Sequence, residues 1–442
     1  METNQLAAQV AHQLGEHRQV LVAFSGGLDS TVLLHLLAQL RQQHPEFQLR
    51  AVHVHHGLSA FADTWADHCG RQCAAWRVPL TVQRVQVDAR AGGIEAAART
   101  ARYAAFNATL KADEILITAQ HLDDQSETFL LALKRGSGPA GLSAMAACGR
   151  LADHVLLRPL LGCSRLRLEA YAQQHQLSWI DDDSNQNPRF DRNFLRLQVL
   201  PLLNLRWPHF TSAVARSASL CAEQEQLLDE LLADQLRTLL AEDNSLVIEE
   251  LLGCSPACRF ALLRRWIARH DVTLPSREQL QHLWDEVALS RVDAVPRLQL
   301  GTYQIRRFHG RLYLQPLMAN LRDIRLNWSR TAPLTLPDGL GHLISGKGKV
   351  HLRSPQPAQQ VSVRFSAQGS VRIVGRAHSR PIKKLWQELD VPPWLRERIP
   401  LIYYDEQLIA ALGEFVCEEG RVPEKEQPWR LHWDKNHNFK EQ

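Results

Sequence analysis

The stretch Val20-Leu-Val-Ala-Phe-Ser-Gly-Gly-Leu-Asp-Ser30, continued by Thr31-Val-Leu-Leu-His-Leu-Leu37, constrains this chain more than any other. Its five leading apolar residues predict a buried parallel strand, and the i, i+3, i+4 spacing after Ser30 predicts a helix packed on the sheet. Ser25, Gly26 and Gly27 between them carry no bulk. The backbone can therefore turn sharply and aim successive N–H groups outward, while a helix beginning near Asp29 or Ser30 adds its positive dipole end. An anion fits such a turn, above all a phosphate chain. The bland alternative is an ordinary strand-to-helix turn in which Ser25 or Asp29 is a cap. With no lysine in the loop, and no GxGxxG, neither the Walker A nor the dinucleotide fingerprint applies.

The pattern repeats downstream. Strands are expected at 47–56, around 80–87 and at 114–120, with helices over 1–17, 30–43, 60–76 and 126–134 between and around them. Alternation of this kind predicts an α/β fold, a doubly wound parallel sheet with its ligand across the carboxyl ends of the strands. The polar clusters fall on that edge. His53, His55 and His56 end the second strand, where His53 suits a contact to adenine or ribose, or plain packing. No Cys or His cluster completes a transition-metal site there. In the alanine-rich helix Ile94–Tyr103, Arg99 and Arg102 either lean over nucleotide phosphates or form a solvated face with Glu95.

Thr118-Ala-Gln-His-Leu-Asp-Asp-Gln-Ser-Glu-Thr128 is the second informative stretch. Asp123, Asp124 and Glu127 have Lys134 and Arg135 as the next bases along the chain, so they are not all neutralised locally. Such carboxylates want a cation, either Mg²⁺ or the ammonium of an amine substrate. One of the aspartates capping the helix with Glu127 closing a capping box is the alternative. The loop from Lys134-Arg135 through Gly-Ser-Gly-Pro-Ala-Gly to Met145 reads as a lid or a polynucleotide contact. Trp179 to Arg189 is polar and loop-like, and Arg192, Asn193 and Arg196 present donors at helical spacing.

With 442 residues, two or three domains are expected. These are a catalytic domain over 1–207, a mainly helical domain over 208–319, a Pro- and Gly-rich linker over 320–357, and a small α+β domain over 358–442. Segment 371–400 sets seven bases against three acids. Arg376, Lys383, Lys384 and Arg396, interleaved with Trp386 and Trp394, predict contact with an RNA backbone and stacking on its bases. The cysteine pairs Cys69/Cys73 and Cys254/Cys258 are not CxxC and read as free buried thiols. No apolar run reaches the roughly 18–20 residues that cross a bilayer, and Met-Glu-Thr-Asn-Gln begins no secretory signal, so the expectation is a cytoplasmic protein without a membrane partner.

SGGLDS resembles the signature of the N-type ATP pyrophosphatases. SGGLDS, VHVHHGLS, the Glu-x3-Arg-x2-Arg-Tyr helix, TAQHLDDQSET, RGSGPAGLSAM, RPLL and the DDDSNxNxxxxRNxxR segment occur in the order found in tRNA(Ile)-lysidine synthetases of the bacterial form with two added C-terminal domains. That resemblance implies ligation of L-lysine to C2 of the wobble cytidine in a CAU-anticodon tRNA(Ile), with ATP cleaved to AMP and pyrophosphate through an adenylylated tRNA. By the same resemblance Ser25, Gly26, Gly27, Leu28, Asp29 and Ser30, with His53, Arg99 and Arg102, would bind ATP. Asp29 and Asp124 would hold Mg²⁺, and Asp123, Asp124 and Glu127 would receive the lysine ammonium. His121 or one of those carboxylates would take its proton. Lys134, Arg135, Arg192, Asn193 and Arg196 would contact tRNA with the C-terminal bases, and a homodimer is left open. Two other readings stand beside it: an ATP-dependent tRNA thiolase, which would call for a CxxC or nucleophilic cysteine near the carboxylates, and a protein that binds ATP and RNA without catalysis.

Overall fold

Strand β1 (Gln19–Ala23) lies inside a six-stranded sheet and organises the N-terminal half. The computed structural model describes residues 2–87, 93–181, 187–270, 272–291 and 294–435. They form two compact units, Met1–Leu231 and Leu232–Gln442. In the first, α1 (Glu2–Leu14) leads into β1, followed by α2 (Leu28–Gln43), β2 (Gln48–His55), α3 (Ala62–Ala75), β3 (Leu80–Arg84), α4 (Ile94–Thr109), β4 (Ile115–Ile117) and α5 (Leu122–Lys134). The short α6 (Pro139–Leu142), β5 (Cys148–Leu151), β6 (His154–Leu157), α7 (Arg165–Gln174), α8 (Asp191–Phe194), α9 (Leu200–Arg206) and α10 (Phe210–Leu239) follow.

The sheet runs β3-β2-β1-β4-β6-β5. Neighbours from β3 to β6 are parallel, and β5 pairs antiparallel with β6. The hairpin of β5 and β6 extends the sheet beyond the predicted strands and gives it one antiparallel edge. Side chains of β1 alternate between two cores, because successive Cβ atoms point to opposite faces of a strand. Val20 and Val22 join α1, α2 and α7, while Leu21 packs with Val52, Leu116, Leu156 and Phe106 on the other side. The chain order reverses between β1 and β4, so the crevice beyond their carboxyl ends is the ligand position of an open α/β sheet.

One expected helix start moves. α5 starts at Leu122 rather than near 126, which brings the whole acidic motif into its first turns. α9 and α10 are separated beside Trp207-Pro208, and helix Glu249–Leu252 is separated by Gly253–Ser255 from the next helix, which proline begins at Pro256.

In the second unit, helix Pro256–Ala268 buries Trp266 against helix Arg277–His282 and its π-helical continuation Leu283–Ala288. A four-stranded antiparallel sheet includes the hairpin of Tyr303–Phe308 and Arg311–Pro316, with its turn at His309-Gly310. The reading of 320–357 as a linker is corrected. Arg325–Asn327 pairs with Val361–Arg364, and the eleven-residue strand His342–Leu352 pairs with Trp429–Asp434. Leu321, Trp328, Leu336, Leu343 and Leu352 lie in the same core as Val361 and Val363. Prolines and glycines here mark turns between strands, which composition alone does not separate from a tether. The units divide at Leu231/Leu232, within α10. Among the described residues, no helix is long and apolar enough to cross a membrane.

Candidate active site

The turn after β1 is held by its own small residues. Ser30 donates from Oγ to the Gly27 carbonyl at 3.0 Å, the Ser25 and Ser30 hydroxyls lie 3.0 Å apart, and the Gly27 N–H donates to Ser25 Oγ at 3.3 Å. Gly27 occupies the cap position of α2, and no side chain caps the helix. The first-turn N–H groups, Leu28 and Asp29 among them, therefore face the crevice with the positive end of a sixteen-residue helix behind them. Gly26 has φ +86°, and a Cβ there would lie 2.7 Å from Ile180 Cδ1 and 2.9 Å from Cys69 Sγ. Only glycine serves, because the Ile180 N–H also donates to the Gly26 carbonyl at 2.9 Å and clamps the turn from above.

Below the same turn, His53 Nδ1 lies 3.0 Å from the Phe24 carbonyl and 3.4 Å from Cys69 Sγ. His53 is buried and burial lowers its pKa. The structure thus corrects its assignment as a nucleotide contact: it supports the loop. Arg102 Nε reaches His56 Nε2 at 3.4 Å, beside the end of β2, and Arg99 lies over the Tyr103 ring at 4.9 Å from its centroid.

Opposite the turn, His121 caps α5. Its Nδ1 accepts the Asp123 N–H at 3.2 Å, and Asp124 Oδ2 accepts the His121 N–H at 3.1 Å, a reciprocal box one residue set earlier than predicted. The imidazole is 1 % exposed, and Nε2 faces Asp124 Oδ2 at 3.5 Å and Asp29 Oδ2 at 3.6 Å. Burial opposes its charge, yet the hydrogen bond with Asp123 and the Asp124 and Asp29 carboxylates outweigh it and raise the pKa. Asp29, itself raised by burial, is countered by His121 and by Arg165, whose Nη1 lies 3.2 Å from Oδ2.

The expectation that Asp123, Asp124 and Glu127 lack local neutralisation is overturned by residues distant in sequence. Arg196 donates from Nε to Glu127 Oε1 at 2.6 Å, and from Nη2 to Glu127 Oε2 and Asp124 Oδ1, each at 3.0 Å. Arg192 Nη1 stands 3.7 Å from Glu127 Oε2 and its Nη2 donates to Thr128 Oγ1 at 3.2 Å. Arg165 closes the other flank, its backbone N–H donating to Asp123 Oδ2 at 2.9 Å. Glu127 is 0 % exposed, so its assignment as a direct lysine contact is corrected: it is the buried anchor of Arg196. Arg192, Arg196 and the buried Asn193, which donates to the Asn187 carbonyl at 3.0 Å, are likewise moved from an RNA face to the wall of this cluster. Residues 182–186, within the polar loop singled out above, lie outside the described residues.

Among the described residues, no group of three or more His, Cys, Asp or Glu side chains is arranged to hold a metal. Asp29 and Asp124 nevertheless converge on one point, His121 Nε2. Two carboxylates fit a Mg²⁺ ion that arrives with phosphate oxygens and keeps its waters, rather than an all-protein cage.

The chain's family follows from comparison with known proteins. Residues 2–203 match the model of the PP-loop domain, 246–313 the TilS substrate binding domain, and 361–433 the TilS substrate C-terminal domain. A tRNA(Ile)-lysidine synthase of Serratia proteamaculans is 74% identical over 435 residues, covering 98% of this chain and 100% of that protein. The chain belongs to the tRNA(Ile)-lysidine synthase family. A second tRNA(Ile)-lysidine synthase, from Pectobacterium atrosepticum, is 60% identical over 98% of both chains. Among solved structures, a U34-tRNA thiolase of Methanococcus maripaludis is similar at TM-score 0.43 and 16% identity, covering 50% of this chain and 80% of that one.

Against this lysidine synthase framework, the remaining expected residues fall into two groups. Lys134, Arg135, Lys383 and Lys384 are exposed; Lys134 pairs with Asp191 at 2.6 Å, and Arg376 pairs with Glu388. Trp386 and Trp394 are buried, which corrects their assignment to base stacking. Trp386 packs 5.5 Å from Phe415, and Trp394 packs 5.3 Å from Tyr313 and 5.8 Å from Phe308. Arg396 donates to the Val391 carbonyl at 3.0 Å. Arg165 was missed by sequence reading, though it carries a signal. It follows the Ser164 cap, and a cation in the first turn of a helix opposes the dipole unless carboxylates hold it there.

Proposed function

We propose that this chain ligates L-lysine to C2 of the wobble cytidine in a tRNA(Ile) with a CAU anticodon, producing lysidine, AMP and pyrophosphate. The observation that carries the reading is the opposition, across one crevice, of an uncapped glycine turn suited to phosphates and an acidic helix start suited to an ammonium group. The family's substrate follows from the relatives' names. The turn of Ser25–Ser30 would bind the β and γ phosphates, giving fixed N–H donors as charge moves onto pyrophosphate when the cytidine C2 oxygen attacks the α-phosphorus. Held by Asp29 and Asp124, Mg²⁺ would supply charge neutralisation along the triphosphate. Arg165 keeps Asp29 in place, and Arg102 supplies a guanidinium beside β2 for the nucleotide.

In the second half-reaction the ε-amine of lysine attacks C2 and AMP leaves. Asp123 and Asp124, at the rim of the cluster, would draw in the ammonium, whereas Glu127 is spent on Arg196. The amine must lose a proton before it attacks. The carboxylates Asp123 and Asp124 and the imidazole of His121, whose pKa they raise, lie together where that proton would leave. We assign that proton to this cluster of His121 and the rim carboxylates. Lys134 and Arg135, with the C-terminal Arg376, Lys383 and Lys384, would contact tRNA, and the cytoplasm is the expected location. The protein incubated with ATP, labelled lysine and tRNA transcripts should place label in the anticodon nucleoside, release pyrophosphate only when RNA is present, and release AMP only when lysine is added as well. Label elsewhere, or ADP and orthophosphate as products, would refute the reading.

A further inference from the structure

Gln125 lies between Asp124 and Ser126 in the acidic motif and touches neither the glycine turn nor the carboxylate cluster in any bond described above. Its side chain instead makes two reciprocal hydrogen bonds to one backbone unit: Nε2 donates to the Met145 carbonyl at 2.8 Å, and Oε1 accepts the Met145 N–H at 2.8 Å. Gln125 is buried and Met145 half-buried, so both bonds are partly shielded from water. A primary amide satisfying both halves of a single residue's backbone acts as a one-residue strand partner.

What it grips is the exit of the basic loop. Ala144, the preceding residue, has φ +54°, a left-handed conformation that L residues avoid. On the following side, Arg158 Nη1 donates to the Ala146 carbonyl, and the Arg158 N–H donates to the Ala147 carbonyl, both at 2.8 Å. The segment between, from Gly136 to Ser143, is largely exposed and has Lys134 and Arg135 at its entrance. Residues 145–147 are thus a fixed post, and the strained Ala144 is where the loop departs from it.

We infer that Gln125 is a positioning residue for tRNA: its clasp on Met145 sets the basic loop at a fixed height above the helix turn that carries Asp123 and Asp124, so that RNA engaged by the loop meets the carboxylates in register. This rests on the reading of Lys134 and Arg135 as RNA contacts. Glutamine is needed because the task requires one donor and one acceptor side by side; glutamate keeps the acceptor and sets a negative charge against the Met145 carbonyl, and asparagine is one carbon too short.

The test compares full-length wild type with Q125A, Q125E and the double variant K134A/R135A, measuring KM for tRNA, ATP and lysine and amide hydrogen exchange across 140–147. Loss of two hydrogen bonds predicts that Q125A raises KM for tRNA about tenfold, with KM for ATP and lysine changed less than about twofold and faster exchange at Met145. Q125E should behave like Q125A. Unchanged exchange at Met145, or an unchanged tRNA KM in Q125A while K134A/R135A raises it, would overturn the clasp. So would a parallel loss of all three substrates. If K134A/R135A leaves tRNA KM unaltered, the loop is not an RNA contact, and the underlying reading fails independently of the exchange result.

Discussion

Arg196 and Glu127 form a two-point pair, Nε to Oε1 at 2.6 Å and Nη2 to Oε2 at 3.0 Å, with the glutamate sealed from solvent. Removing Glu127 leaves Arg196 with Asp124 as its carboxylate, and removing Arg196 leaves the buried Glu127 with only the longer contact to Arg192 at 3.7 Å. Glu127→Ala should cost about 3–5 kcal/mol of stability, read as a lowered urea midpoint. Arg196→Lys should lose much of the same stability, since an ammonium has no fork to match the carboxylate. A shift below about 1 kcal/mol in Glu127→Ala, the value of a surface pair, would mean that the pair does not anchor the cluster.

The raised pKa of His121 has a pH signature. A histidine that binds its proton more tightly when folded contributes stability fully below its unfolded value, about 6.5, and that contribution is lost as pH climbs through the higher folded value. Unfolding midpoints of wild type and His121→Gln should therefore differ most near pH 6 and converge above neutrality. A gap that widens toward pH 9 contradicts a protonated imidazole in the cluster.

Arg165 stands closer to Asp29 than His121 does, at 3.2 Å against 3.6 Å. Arg165→Ala should weaken ATP binding about tenfold, the effect of losing a charge-assisted contact, by freeing the aspartate to turn from the crevice. Calorimetric titration with a non-hydrolysable ATP analogue checks this, and an unchanged dissociation constant would show that Asp29 holds its own position.

Gly26→Ala places a methyl group within 2.7 Å of Ile180 Cδ1 at a φ of +86°. Both strain and overlap act together, so destabilisation of about 1–3 kcal/mol and loss of nucleotide binding are expected. Gly27→Ala is the control, because its nearest neighbour would be Ser25 Oγ at 3.5 Å, ordinary contact.

Trp394→Ala removes a ring packed on Phe308 and Tyr313 and should cost about 3–5 kcal/mol. Affinity of the folded fraction for tRNA should stay within about twofold, well under the 1–3 kcal/mol that a stacked base is worth. A large affinity loss at unchanged stability would restore the stacking role.

The first four strands and first five helices were legible because each carried a strong local signal: an apolar run, a glycine turn, a helical period. The acidic motif was also legible as a cluster. Its neutralisation was not, because Arg165 and Arg196 reach it from 42 and 69 residues away, and no local spacing encodes a tertiary ion pair. The tryptophans were misread for a related reason. A basic segment with aromatic residues describes an RNA-binding face and a buried ring beneath charged neighbours equally well, and only packing distinguishes them. Arg325–Asn327 and His342–Leu352 were hidden by the prolines and glycines of the turns between them.

The start of α5 carries the cap His121 and, in its first two turns, the rim acids Asp123 and Asp124, the clasp Gln125 and the anchor Glu127, all within seven consecutive residues. Adding or deleting a single residue there would swing everything beyond it by about 100° around the helix axis, so acid, clasp and anchor would lose their partners together. Such a segment admits no change of length, and gaps in any lineage of this chain should stop at its edges.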